Sequence, residues 1–153
     1  MRPRIGVIGS HDCTEREASL AHEVGLRLAR AGAIVVTGGL GGVMRHACHG
    51  AVEGEGFTVG ILPGADAAEA NEYVIVPIAT AMGEMRNALV VRASQALIAI
   101  GGGWGTLSEL ALARRTGVPV VGLASRFPDG LDYPRAATAA EAVRWALDRV
   151  GAP

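Results

Sequence analysis

Residues 96–109 read Ala96-Leu97-Ile98-Ala99-Ile100-Gly101-Gly102-Gly103-Trp104-Gly105-Thr106-Leu107-Ser108-Glu109. Five apolar residues with no polar interruption are what a strand covered on both faces presents. The glycines then permit a tight turn, and Leu107 and Leu110 follow at helical spacing in a segment predicted as a helix over 106–116. A strand that turns through glycine into a helix is half of a βαβ unit, in which helices connect parallel strands.

The same alternation runs along the chain. Arg4–Gly9, Ala33–Thr37, Phe57–Leu62 and Val118–Leu123 read as further short, nearly continuous apolar strands, and Tyr73–Pro77 as another. Helices are expected at about Glu15–Ala31, Gly42–Glu53, Gly83–Ser94 and Ala139–Val150. Thr14-Glu15-Arg16-Glu17 and Thr138-Ala139-Ala140-Glu141 fit the capping box, in which hydroxyl and carboxylate satisfy reciprocal backbone donors. Leu20, Val24 and Leu28 line one helix face, and Gly32 and Gly117 stand where a helix should end. The pattern predicts an α/β fold: a single Rossmann-like, doubly wound parallel sheet in a three-layer α/β/α sandwich, with residues 1–153 forming one domain.

Composition narrows the function. The chain has 153 residues, half of them hydrophobic and 19% charged, enough to bury a core. Fourteen basic residues against 15 acidic give a net charge of -1, without the basic excess of a general nucleic-acid surface, so nucleic acid is not an expected partner. Every basic residue is Arg; there is no Lys. That removes a Schiff base with pyridoxal phosphate and the Gly-Lys pair of a Walker A loop. Two cysteines make no disulfide framework, and no segment reads as a signal peptide or membrane span, so a soluble cytoplasmic protein is expected.

In doubly wound sheets ligands sit outside the carboxyl ends of the strands. Two glycine clusters fall there. One is Thr37-Gly38-Gly39-Leu40-Gly41-Gly42, and the other is the run from Gly101 to Thr106. Each opens a helix, where free backbone N–H groups and the positive end of the helix dipole favour an anion. Thr37, Gly38, Gly39, Gly41, Gly42, Gly102, Gly103, Gly105 and Thr106 are therefore candidate phosphate-binding residues, together with Gly9 and Ser10 at the end of the first strand. Neither cluster spells G-x-G-x-x-G, so a dinucleotide fingerprint is not supported. Tight strand-to-helix turning is the competing explanation of these glycines.

Glu109 and Arg86 are the candidate catalytic residues. Glu109 has two open readings: Thr106-Leu107-Ser108-Glu109 fits a capping box, yet a carboxylate beside an anion-binding turn could also orient water or stabilise a developing cation. Arg86, early in its helix, opposes the dipole and suits an anionic partner, although a surface pair with Glu84 is the simpler alternative. His46, Cys48 and His49 form H-x-C-H, and His11 and Cys13 form H-x-C, but no C-x-x-C pair accompanies them and no metal site is expected. Cys13 could instead line the pocket. No G-x-S-x-G elbow is present.

The run Gly101–Glu109 resembles the PGGxGTxxE motif of the LOG-like (Lonely Guy) superfamily, which includes cytokinin riboside monophosphate phosphoribohydrolases and proteins once mislabelled lysine decarboxylases. Arg86 matches the Arg of that family's Arg-Lys signature, and Thr37–Met44 is similar to its upstream glycine-rich turn. Gly60-Ile61-Leu62-Pro63-Gly64 and Ala81–Asn87 resemble a compact branch related to DNA-processing protein A and to molybdenum cofactor carrier proteins. Gly101 stands where the motif has proline, and Asn87 where the signature has Lys.

The resemblance implies a small phosphorylated ligand, either a nucleoside 5'-monophosphate or molybdopterin, and no required catalytic cofactor. The first expectation is a phosphoribohydrolase in which the glycine turns and Thr106 hold phosphate, Arg86 binds or polarises substrate, and Glu109 stabilises the ribosyl cation. The alternative is a non-enzymatic carrier of the molybdenum cofactor, with the same turns holding the pterin's phosphate. The resemblance also implies a homodimer.

Overall fold

The computed structural model describes residues 1–127 and 130–150. Seven parallel strands form one sheet: β1 (Arg4–Gly9), β2 (Ile34–Thr37), β3 (Phe57–Leu62), β4 (Val76–Ala79), β5 (Ala96–Ile100), β6 (Val120–Leu123) and β7 (Arg135–Ala136). Their order is β4-β3-β2-β1-β5-β6-β7. Among the described residues four α-helices lie between strands, α1 (Glu15–Arg30), α2 (Val43–Glu53), α3 (Asn87–Ala93) and α4 (Trp104–Thr116), and a fifth, α5 (Ala139–Val150), follows β7. This is the doubly wound, Rossmann-like sandwich expected from the alternation of strand and helix.

The strand period of two sends alternate side chains to opposite layers. Ile5 and Val7 of β1, with Ala96, Ile98 and Ile100 of β5, join a core under α1, α2 and α5. Ile8 of β1, with Leu97 and Ala99 of β5, joins a second core that includes Val90 of α3 and Leu110 of α4. Because both faces are covered, β5 is buried along its whole length, which is why it contains no polar residue. Each fully buried Leu, Ile or Val removes apolar surface from water at roughly 1.5–3 kcal/mol, so these two layers dominate the stability.

Helix ends follow local chemistry. The Thr14 hydroxyl accepts from Glu17 N and the Glu17 carboxylate accepts from Thr14 N, completing the first capping box. At α5 the hydroxyl of Thr138 accepts from Glu141 N, but the Glu141 carboxylate reaches one residue further back, to Ala137 N. Gly117 ends α4 in the left-handed conformation, as its position in the sequence suggests.

Several boundaries differ from expectation: β6 begins at Val120 rather than Val118, and the short β7 was not expected. The helix predicted over 83–94 begins as a short 3-10 turn, Gly83–Arg86, and becomes α-helical only at Asn87. The edge strand starts at Val76 rather than Tyr73 because the Thr58 hydroxyl donates to Tyr73 O and accepts from Ile75 N, holding 73–75 off the ladder. Pro77 is tolerated there because β4 is an edge strand. Finally, α4 begins at Trp104, two residues before Thr106.

Among the described residues no helix is long and apolar enough to cross a membrane.

Candidate functional site

From β1 the chain winds outward through β2 and β3 to β4, then returns to place β5 on the other side of β1. The connections leaving β1 and β5 therefore diverge, and a crevice opens between them. A cavity of about 430 Å³ occupies this point. Gly9, Ser10 and His11 border it from β1; Gly103, Trp104, Gly105, Thr106 and Glu109 from the turn and helix after β5. Leu40 and Met44 close it from the first glycine turn and α2, and Glu84, Arg86 and Asn87 from the segment ahead of β5.

The second glycine cluster builds one side of the cavity. Gly103 is the N-cap of α4 and offers no side-chain cap. The amide of Leu107 is the first to bond within the helix, to Gly103 O. The N–H groups of Trp104, Gly105 and Thr106 precede it at the cavity wall, with the positive helix end behind them. Gly101 turns the chain with φ 66° above the carboxylate of Glu17, which Arg126 pairs at 3.0 Å.

Because α4 starts early, Thr106 lies inside its first turn and cannot be an N-cap. The capping-box reading of Glu109 is thereby removed. Glu109 instead lies in the second turn, only 8% exposed, with its side chain on the cavity. Burial pushes its carboxyl up to about 7, against a smaller downward pull from Arg86.

Arg86 is equally buried, at 8% exposure. Its Nε donates to Ile61 O at 2.9 Å, one terminal nitrogen to Gly38 O at 3.4 Å, and the other to Asn87 Oδ1. Glu84 is not among these partners, so the simple surface pair is not what forms. Burial lowers the Arg86 pKa, partly offset by Glu109 and then Glu84.

The first glycine cluster plays a different part. Thr37 is wholly buried, its hydroxyl accepting from Gly39 N at 3.1 Å and meeting the Cys48 thiol at 3.5 Å. Gly38 supplies a carbonyl to Arg86, and Gly42 caps α2 with φ 63° while Val43 N bonds Ser10 O. A Cβ on Gly42 would overlap the carbonyl oxygens of Ser10 and His11. Thr37, Gly38, Gly39, Gly41 and Gly42 thus brace the cavity from below and beside it, whereas Gly9, Ser10, Gly103, Gly105, Thr106, Arg86 and Glu109 border it. Gly102 faces a neighbouring recess shared with Phe127 and Arg126.

Sequence reasoning did not single out His11, Leu40, Asn87 or Trp104 as lining residues. Trp104 stands at the rim, 88% exposed, and its place inside a glycine run was the available signal. The H-x-C-H grouping does not assemble, since Cys48 turns into the core beside Thr37. A larger cavity, about 580 Å³, lies between α1 and α5 and carries none of the glycine turns.

Comparison with known proteins agrees with this architecture. The molybdenum cofactor binding protein from the phototrophic bacterium Rippkaea orientalis superposes with a TM-score of 0.91 at 32% identity, covering 97% of each chain. The molybdenum cofactor carrier protein from Chlamydomonas reinhardtii superposes with a TM-score of 0.90 at 35% identity, over 99% of this chain and 100% of that one. An uncharacterized protein of Archaeoglobus fulgidus is 42% identical over 120 residues, 78% of this chain and 79% of its own. The family described as LDcluster4, SLOG cluster4, matches residues 2–144, and with these relatives alongside it the chain belongs to the SLOG cluster4 family.

Proposed function

We propose that the protein binds a small phosphorylated pterin of the molybdenum cofactor type and acts as a carrier rather than a hydrolase. The observation that carries this reading is the near full-length likeness, at 32–35% identity, to a molybdenum cofactor binding protein and a molybdenum cofactor carrier protein. The site's geometry supports it. The cavity of about 430 Å³ falls in the range of small-ligand pockets, and the uncapped start of α4 suits a phosphate. Gly103, Gly105 and Thr106 hold the phosphate through backbone amides, and Trp104 at the rim offers an aromatic face to a pterin ring. Arg86, with its three neutral acceptors, serves to lock the pocket wall. Glu109, held near neutrality, can donate or accept a hydrogen bond toward the ring.

The phosphoribohydrolase reading rests on the same Arg86 and Glu109 and on the superfamily motif alone. The two readings separate in one experiment. Protein purified from cells that make the cofactor is assayed for bound pterin after release and oxidation, and for ribose 5-phosphate release from a panel of nucleoside monophosphates. Co-purifying pterin without turnover supports the carrier. Ribose 5-phosphate release that disappears in Glu109→Gln, with no pterin bound, overturns it.

The proposal includes a homodimer. Ile75, Val76 and Ile78 at the β4 edge, with Met82 and Met85 beyond it, are exposed apolar side chains on an unpaired sheet edge, a surface that favours association.

A further inference from the structure

Helices α1 and α2 pack backbone against backbone. At Gly25 an added Cβ would overlap Ala47 O, and at Gly50 it would overlap His22 O. This approach sets His22 of α1 against the outer face of α2, where His49 and Glu53 stand four residues apart and so on one side of the helix. His22 Nε2 lies 2.8 Å from a Glu53 carboxylate oxygen, and the two imidazoles meet edge to face with centroids 5.0 Å apart. One donor atom from each of the three residues lies within 4.8 Å of the others. Ligand atoms around a tetrahedral zinc ion are separated by about 3.4 Å, so side-chain adjustments alone close the set.

The arrangement is braced from the next shell. The ring of His49 stacks on Tyr73 at 4.3 Å and 12°, which fixes its plane. Arg45 lies over the Tyr73 ring, 5.1 Å from its centroid, and pairs with Glu72. The segment carrying Tyr73 is tied to the first glycine turn, since Asn71 N and its side-chain amide both donate to Gly39 O. Two imidazoles and a carboxylate, without thiolate, suit a borderline divalent ion.

We propose that His22, His49 and Glu53 bind a divalent ion of the zinc class, clamping α1 to α2 outside the glycine-lined cavity, with water completing the coordination. None of the three residues borders that cavity, so the site is independent of the pterin reading.

Equilibrium dialysis of the full chain against sub-millimolar Zn²⁺ tests this, with the visible absorption of bound Co²⁺ as a second readout. One ion per chain is expected, accompanied by a rise in melting temperature. His22→Gln, His49→Gln and Glu53→Gln should each weaken uptake about tenfold or more, whereas His46→Gln, on the same helix but outside the set, should leave it unchanged. Glu53 is exposed, so its variant reports even if a histidine variant folds poorly. Absence of uptake by the wild type, uptake indifferent to all three substitutions, or an equal loss in His46→Gln would each overturn the assignment.

Discussion

Arg86 and Glu109 border the same cavity and influence each other's protonation, yet they form no direct ion pair. The guanidinium is held instead by Ile61 O, Gly38 O and Asn87 Oδ1, which joins the end of β3, the first glycine turn and the start of α3. Glu109 is left facing the cavity with its charge poorly compensated. One residue therefore builds the wall and the other remains available to a ligand.

Arg86→Ala is expected to destabilise the fold by about 2–4 kcal/mol, because it leaves two carbonyl groups unpaired beneath the cavity. Urea unfolding followed by circular dichroism measures this directly. A loss below about 0.5 kcal/mol would mean that the three hydrogen bonds contribute little beyond what water supplies.

The stability contribution of Glu109 depends on pH with a definite sign. Its folded carboxyl titrates at about 7 against an ordinary 4.5. Between these values the folded state holds a proton that the unfolded state has lost, so stability falls as pH rises and is lowest above about 7. The full penalty is on the order of 3 kcal/mol. Glu109→Gln should match the wild type in melting temperature near pH 4.5 and exceed it increasingly up to pH 8. Parallel melting curves across that range would show that water reaches the carboxylate freely.

Much of this architecture was legible because the buried strands are apolar runs, and β1, β2 and β5 end at or just before glycine. The candidate cavity was legible only in part: Gly103, Gly105, Thr106, Arg86 and Glu109, singled out by their places at helix starts, border it, whereas the glycines of the first cluster and Gly102 do not. What the sequence hid depends on tertiary contact. Thr106 looked like a cap, but Gly103 had already opened α4 three residues earlier. His49 was grouped with its chain neighbours His46 and Cys48, whereas its partners are His22 on another helix and Glu53 one turn on. That meeting follows from the absence of side chains at Gly25 and Gly50, which no local pattern reveals.

If the edge of β4 mediates a homodimer, a charge placed there should dissolve it. Ile78 is 45% exposed and lies on the outermost strand. Ile78→Glu should convert a dimeric mass to a monomeric one by light scattering at micromolar concentration, with the circular dichroism spectrum unchanged. A wild type that is already monomeric under those conditions rules out the dimer.

The glycines should separate into two classes on replacement by alanine. Gly42, with φ 63° and carbonyl oxygens where a Cβ would go, is a turn glycine, and Gly42→Ala should destabilise the fold by about 2 kcal/mol or more. Gly105 is different. It lies within the first turn of α4, and the nearest atom to an added Cβ is Asn87 Nδ2 at 3.9 Å. Alanine is the better helix former by about 0.5–1 kcal/mol, so Gly105→Ala should leave the fold as stable or slightly more so. Because its backbone borders the cavity beside Thr106, the added methyl should weaken binding of a phosphorylated ligand by about tenfold or more, on the order of 1.4 kcal/mol. Thermal unfolding and pterin retention, measured on the same preparations, give the two readouts. Retention unchanged in a fully folded Gly105→Ala protein would move the phosphate away from the start of α4.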